Sequence, residues 1–298
     1  MKIEVVNTVE QYKALINKDL DDRDIYFKDK MMKPFESMWL SINVPMNAKQ
    51  QGGYDVKMAT QMLGFESLEN TESIKEALVK LIELNIEYLA RKTLSECLKA
   101  SEKAGLKISS DLLKFAAFIS AKGNPHVYND YVGFGGIPGY IIIMLRPNDY
   151  NIPRIPSLIA HEFHHNLRFS YFDWNHGNVT LGDYIVIEGL AESFATEMYG
   201  EEYLGPWVTS IVGEELEYST HVIGENVNQK GFAEVSSYMF GDEQAKSQGY
   251  NPVGLSAGAG YAVGYQVVQS FLKKQNRTIY DATLLGTDEI IKGSGMFR

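Results

Sequence analysis

The chain has 298 residues, 45% of them hydrophobic and 12% aromatic, with 38 acidic against 28 basic side chains and a net charge of −10. That length and apolar share exclude a disordered chain and allow one large domain or two modest ones. The acidic balance argues against nucleic acid or an anionic membrane as the main partner, since both attract basic surfaces.

A weak preference for basic peptides is compatible with that charge. The single cysteine, Cys97, excludes an intrachain disulfide and suits a reducing compartment. Its place among leucines in a helical pattern points to the core. The opening segment Met1-Lys2-Ile3-Glu4-Val5-Val6-Asn7 has no apolar signal-like stretch. The strongest apolar run, Tyr140 to Leu145, is too short to span a bilayer. A soluble cytoplasmic protein without stable membrane insertion is expected.

Residues 1–110 read as mainly helical after a short first strand at Ile3–Val6. From Thr71 to Ala104 the residues Ile74, Leu78, Leu81, Ile82, Leu89, Leu94 and Leu98 recur near helical spacing. Thr71 is the expected N-cap, Gly105 stands where a C-terminal cap belongs, and so long a helix is expected to break near Asn85. No repeat or low-complexity linker appears. The expected division is a helical region over 1–110 and a second domain over 111–298.

The period then changes. Phe115–Ser120 and Tyr140–Leu145 read as strands, the second rich in β-branched residues. Between them Gly133-Phe134-Gly135-Gly136-Ile137-Pro138-Gly139 reads as a flexible turn. It is no dinucleotide loop, because Pro138 stands where the last glycine is needed and a strand follows.

Pro153 and Pro156 open the next helix, as proline suits a first turn. It carries His161-Glu162-Phe163-His164-His165, and chance composition yields only about 0.01 matches to His-Glu-x-x-His. A helix advances 100° per residue, so His161 and His165 share one face and can bind one Zn²⁺ from the same side. Glu162 then lies beside the metal, placed to take a proton from a water activated there.

A helix from about 180 to 199 follows, with Glu188 and Glu192 four apart in an apolar stretch. Buried carboxylates are costly unless paired or metal-bound. Glu188 would complete a His₂Glu set and leave a fourth position open, as catalytic zinc requires. Glu192 could accept the ring N–H of His161 or of His165. Surface salt bridges are the alternative for both glutamates.

These two segments resemble the gluzincin branch of the zincin metallopeptidases. More closely, Ala160-His161-Glu162-Phe163-His164-His165-Asn166 with Glu188-Gly189-Leu190-Ala191-Glu192 resembles the YjaZ-like family of predicted zinc-dependent proteases. The run Gly260-Tyr261-Ala262-Val263-Gly264-Tyr265 is similar too. The resemblance covers roughly residues 110–298 and implies a zincin-like fold and peptide hydrolysis, without naming a substrate. A departure is the 22 residues between His165 and Glu188, slightly more than in the best-known gluzincins. The resemblance also implies an edge strand beside the motif helix that binds extended peptide, to which the glycines at 133–139 could give close approach; an ordinary hairpin loop fits them equally.

His176, in the loop from Ser170 to Asn178, and His221 are candidate substrate contacts, though plain surface histidines fit as well. After residue 200 the chain reads as mainly helical. A glycine-rich entry at 254–264 leads into a helix with Tyr261 and Tyr265 on one face. Either phenol could stabilise the oxyanion, and the resemblance favours Tyr265. Gly254-Leu255-Ser256-Ala257-Gly258 fits the serine-hydrolase pattern, but no strand precedes it and no histidine follows it, so that reading fails.

The expectation is therefore an α+β, zincin-like metallopeptidase domain, predominantly helical, with a small sheet beside the motif helix. Zn²⁺ on His161, His165 and Glu188, with Glu162 as general base and Tyr265 on the oxyanion, would hydrolyse a peptide or protein substrate. The competing expectation is a non-catalytic zinc-binding module on a peptidase scaffold. Oligomeric state is not readable.

Overall fold

A computed structural model describes residues 1–50, 52–123, 128–175 and 177–297. In chain order the elements are β1 (Lys2–Val5), α1 (Thr8–Leu15), α2 (Leu20–Tyr26), α3 (Glu36–Ser41), α4 (Val56–Met62), α5 (Thr71–Glu83), α6 (Ile86–Lys103), β2 (Leu112–Ile119), β3 (Tyr131–Ile137) and β4 (Tyr140–Leu145). Then come α7 (Ile155–Arg168), α8 (Leu181–Tyr199), α9 (Pro206–Thr209), α10 (Gly213–Asn226), α11 (Phe232–Phe240), α12 (Asp242–Ser247), α13 (Ala259–Gln275), α14 (Ile279–Ala282) and α15 (Thr287–Ser294). The fold is α+β, predominantly helical with a small four-stranded sheet, consistent with the expected zincin-like architecture. Among the described residues no helix is long and apolar enough to cross a membrane.

The chain divides into two compact units. One comprises Met1–Glu96 and Ser110–Ile159, the other Cys97–Ser109 and Ala160–Arg298.

The first unit holds the sheet, in the order β1-β2-β4-β3. β1 and β4 run parallel to the central β2, and β3 is antiparallel to β4. Covered strands read as continuous apolar runs, and Phe115 to Ile119 and Ile141 to Leu145 are buried without interruption. Beside them Phe118 packs against Phe35 and Phe65. Arg146, on leaving β4, meets Glu66 at 2.6 Å, Ser73 Oγ at 2.8 Å and the Ser120 carbonyl at 3.0 Å. That buried cation is thereby paired and hydrogen-bonded.

The expected long helix does break at Asn85. Its φ of 48° lies in the left-handed region that asparagine tolerates, and α6 restarts one residue later. Gly105, with φ +79°, follows the end of α6 as expected. The cap of α5 is Asn70 and not Thr71, which is the first helical residue.

The glycine run needs correction. Gly133, Gly135 and Gly136 belong to β3, and only Pro138-Gly139 turns the chain. The sheet edge needs hydrogen bonds on one side alone, and a register shift between Phe134 and Ile137 absorbs the weak β-formers. Gly139, at φ +97°, also has no room for a side chain: a Cβ there would meet Ser110 Oγ at 2.9 Å.

In the second unit α8 is central. It is buried continuously from Tyr184 to Ala195, as a helix apolar over most of its circumference must be. Its start is fixed by a capping box: the Thr180 hydroxyl accepts from Asp183 N at 3.0 Å, and Asp183 Oδ2 accepts from Thr180 N at 3.1 Å. Thr287, on α15, donates to the other Asp183 oxygen at 2.6 Å. α13 packs on α8 through glycines, since a Cβ at Gly189 would lie 2.1 Å from the Gly264 carbonyl oxygen.

Candidate metal centre

The helix α7 begins after a 3-10 turn, Ile152–Arg154, with Pro153 in its first turn. Proline presets φ there and lacks only an N–H that the helix would leave unpaired. Two turns on, the helical period stacks His161 and His165. Their Nε2 atoms are 3.0 Å apart. Glu188 Oε2, from α8, lies 3.2 Å from His161 Nε2 and 3.4 Å from His165 Nε2. All three residues are buried, at 4%, 7% and 8% exposure. Among the described residues they form the group of His, Cys, Asp and Glu side chains close enough to hold one metal ion.

The spacing tests the fit to zinc. Ligand atoms of a tetrahedral site sit at the ends of tetrahedron edges, each about 1.63 times the metal–ligand distance. For bonds of about 2.0–2.1 Å that edge is about 3.3–3.4 Å. The three observed separations, 3.0, 3.2 and 3.4 Å, lie at this edge or a few tenths of an ångström below it. Two nitrogens and one carboxylate oxygen are also a donor set that suits zinc.

The electrostatics of the cluster set burial against pairing, and pairing prevails. Burial pulls the His161 imidazole toward lower pKa, but hydrogen bonds to Glu188 and Glu192 hold it well above the ordinary value. Burial pushes Glu188 up, yet the His165 charge and the His161 hydrogen bond hold it down to about 2. A positive charge at this point is thus favoured by the carboxylates around it.

Glu162 is buried at 5% exposure next to His161, and its charge acts on that ring. Glu192, 2% exposed, sits one turn beyond Glu188 with Oε1 3.4 Å from His161 Nδ1. Of the two histidines open to it by spacing, it faces His161. His165 Nδ1 is buried with no hydrogen-bond partner among the described residues, and its ring stacks on Phe169 at 11°.

Tyr265 has its hydroxyl beside Thr196 and makes no hydrogen bond to His161, His165 or Glu188. Tyr261 packs against Trp207 and Phe240. His221 is exposed on α10 and pairs with Glu225 one turn on, at 3.6 Å. His176 lies outside the described residues.

Sequence reasoning missed two neighbours. Trp207, in the first turns of α9, donates its indole N–H to Glu192 Oε1 and sets its ring edge-on to His161 at 6.1 Å. Thr283, following α14, lies 3.0 Å from His164 Nε2 and so explains the third histidine of the motif. Neither residue has a spacing that links it to the motif, so no local signal could have found them.

Comparison with known proteins agrees with this geometry. The model of the family described as Predicted Zn-dependent protease (DUF2268) matches residues 86–292. The chain is 49% identical to the Uncharacterized protein YjfC of Bacillus subtilis (strain 168) over 297 residues, covering 100% of this chain and 99% of that protein. It is 28% identical to the Uncharacterized protein YjaZ of the same organism over 142 residues, 47% of this chain and 51% of that one. No solved structure matches it. With the match spanning α6 to α15, both ligand-bearing helices included, the chain belongs to the Predicted Zn-dependent protease family (DUF2268).

Proposed function

We propose that this protein is a zinc-dependent peptidase of the gluzincin type, with His161, His165 and Glu188 as metal ligands. The observation that carries the reading is the trio of buried ligand atoms at tetrahedral-edge spacing, with the carboxylate of Glu162 on the residue next to His161. Zinc would supply Lewis acidity, acidifying a water molecule and polarising the scissile carbonyl. Glu162 takes a proton from the attacking water as its oxygen bonds to the carbonyl carbon, then delivers it to the amine nitrogen as the C–N bond breaks. Tyr265 is the proposed oxyanion donor; burial raises its pKa, so the phenol keeps the proton it would share. The substrate is a peptide or protein, and the lone buried Cys97 suits a cytoplasmic, reducing setting.

Glu162→Gln tests the reading. The amide keeps the shape and cannot accept the proton, a step typically worth about 10²–10⁴-fold. Cleavage of a peptide library should collapse in this variant while zinc content, by elemental analysis, stays near one per chain. Equal cleavage by variant and wild type would remove Glu162 from the chemistry. A wild type that holds zinc and cleaves nothing would favour the non-catalytic zinc module.

A further inference from the structure

His161 is the ligand candidate with a carboxylate and an indole lined up behind it. Its Nε2 faces Glu188 and His165, while its Nδ1 faces Glu192 Oε1 at 3.4 Å. That same oxygen receives the indole N–H of Trp207. An indole nitrogen can only donate, so the direction of this bond is fixed. Glu192 is 2% exposed, and a buried carboxylate needs such a donor to hold its place.

Trp207 is itself tightly seated. A Cβ at Gly258 would stand 2.6 Å from its carbonyl oxygen, and the Tyr261 ring lies 6.4 Å from the indole. Its backbone and ring are therefore fixed from α13, independently of α7. Neither His161 Nδ1 nor His165 Nδ1 has a hydrogen-bond partner among the described residues, and it is the His161 atom that Glu192 faces, at 3.4 Å.

We infer that Trp207 is a positioning residue of the metal centre, acting through Glu192 to set the orientation and tautomer of His161. The inference rests on the metallopeptidase reading. The indole N–H keeps the Glu192 carboxylate turned toward His161 Nδ1. The proton then sits on Nδ1, and the Nε2 lone pair is left for the metal. Losing that donor lets Glu192 turn away and frees the ring to rotate or change tautomer.

The test is a double-mutant cycle read by zinc affinity, using chelator competition on the full chain. Trp207→Phe keeps an aromatic ring and removes the N–H. It should weaken zinc binding about tenfold in the wild-type background, the low end of the roughly 10–100-fold range for partners behind a ligand. In the Glu192→Ala background the same change should cost less than about twofold, because the intermediary is gone. The His161 imidazole N–H resonance should shift in Trp207→Phe while that of His164 stays put.

A purely structural role would lower affinity equally in both backgrounds, and that result would overturn the inference. So would an unchanged affinity with an unmoved His161 resonance. If Trp207→Phe does not fold, site-specific 3-benzothienylalanine at 207 keeps the shape and removes only the donor. A wild type without zinc would instead remove the metal-centre reading and this inference with it.

Discussion

His164 Nε2 lies 3.0 Å from Thr283 Oγ1, and that hydroxyl already donates its own proton to the Ile279 carbonyl at 2.8 Å. The imidazole must therefore be the donor between the two. Burial, with the charges of His165 and Arg168 beside it, holds the His164 pKa well below the ordinary value, so the ring is neutral. Arg168 donates to the Thr283 carbonyl from the next turn of α7. Thr283→Val keeps the shape and strands a buried N–H, which costs about 1–3 kcal/mol. Denaturant unfolding should show that loss while zinc affinity changes little. Unchanged stability would mean the pair carries no weight.

Glu188 and Glu192 should respond unequally to truncation. Glu188→Ala removes an oxygen that lies within 3.4 Å of both histidine Nε2 atoms. Glu192→Ala removes the group that faces His161 Nδ1 and accepts from Trp207, with no contact to either Nε2, and is expected to cost about 10–100-fold in zinc affinity. Chelator competition should place the Glu188 variant far below the Glu192 variant. The reverse order would exchange their roles.

Gly189→Ala should be severe, although alanine is the better helix former. A Cβ there would lie 2.1 Å from the Gly264 carbonyl oxygen and 2.4 Å from its carbon. Backbone cannot rotate aside, so α8 and α13 must part, at the upper end of about 1–3 kcal/mol or beyond. Gly286→Ala, with nothing within 4 Å of its Cβ, should cost about 1 kcal/mol or less. Comparable losses in the two variants would refute the close helix contact.

Acid stability should depend on Asp55. Its Oδ1 caps α4 through Met58 N at 3.1 Å, and Oδ2 pairs with Lys28 at 2.5 Å. Burial works to raise its pKa, but the Lys28 hydrogen bond and the capping N–H groups outweigh it and leave the value lowered. A lowered folded pKa gives stability that is present above the ordinary value near about 3.9 and is lost as pH falls through the folded one. Asp55→Asn should thus be less stable than wild type near neutral pH, with the gap closing in acid. A gap independent of pH would show that the carboxylate charge does not matter.

The parts of this molecule legible in its sequence are those where one segment holds all the information. The spacing of His161 with His165, the Asn85 break and the β-branched run of β4 depend only on neighbours along the chain. The helix bearing Glu188 was legible for the same reason, its carboxylates being out of place in an apolar run. Distant pairings were not. β1 lies beside β2 although more than a hundred residues separate them, and no period encodes that partner. The glycines of β3 have weak strand propensity and are rescued by the edge of the sheet. Trp207 acquires meaning only once α9 brings it to Glu192.

The bond from Thr287 to Asp183 has a consequence for the order in which the molecule is assembled. The helix bearing Glu188 is made well before α13 and α15, the segments that cover it and brace its first turn. A nascent chain therefore passes through a stage in which a largely apolar helix is exposed and the ligand trio has no frame. Such surfaces invite aggregation and chaperone capture until their cover emerges. On the proposed peptidase reading, the same delay would keep the centre silent during synthesis until the later helices close over it.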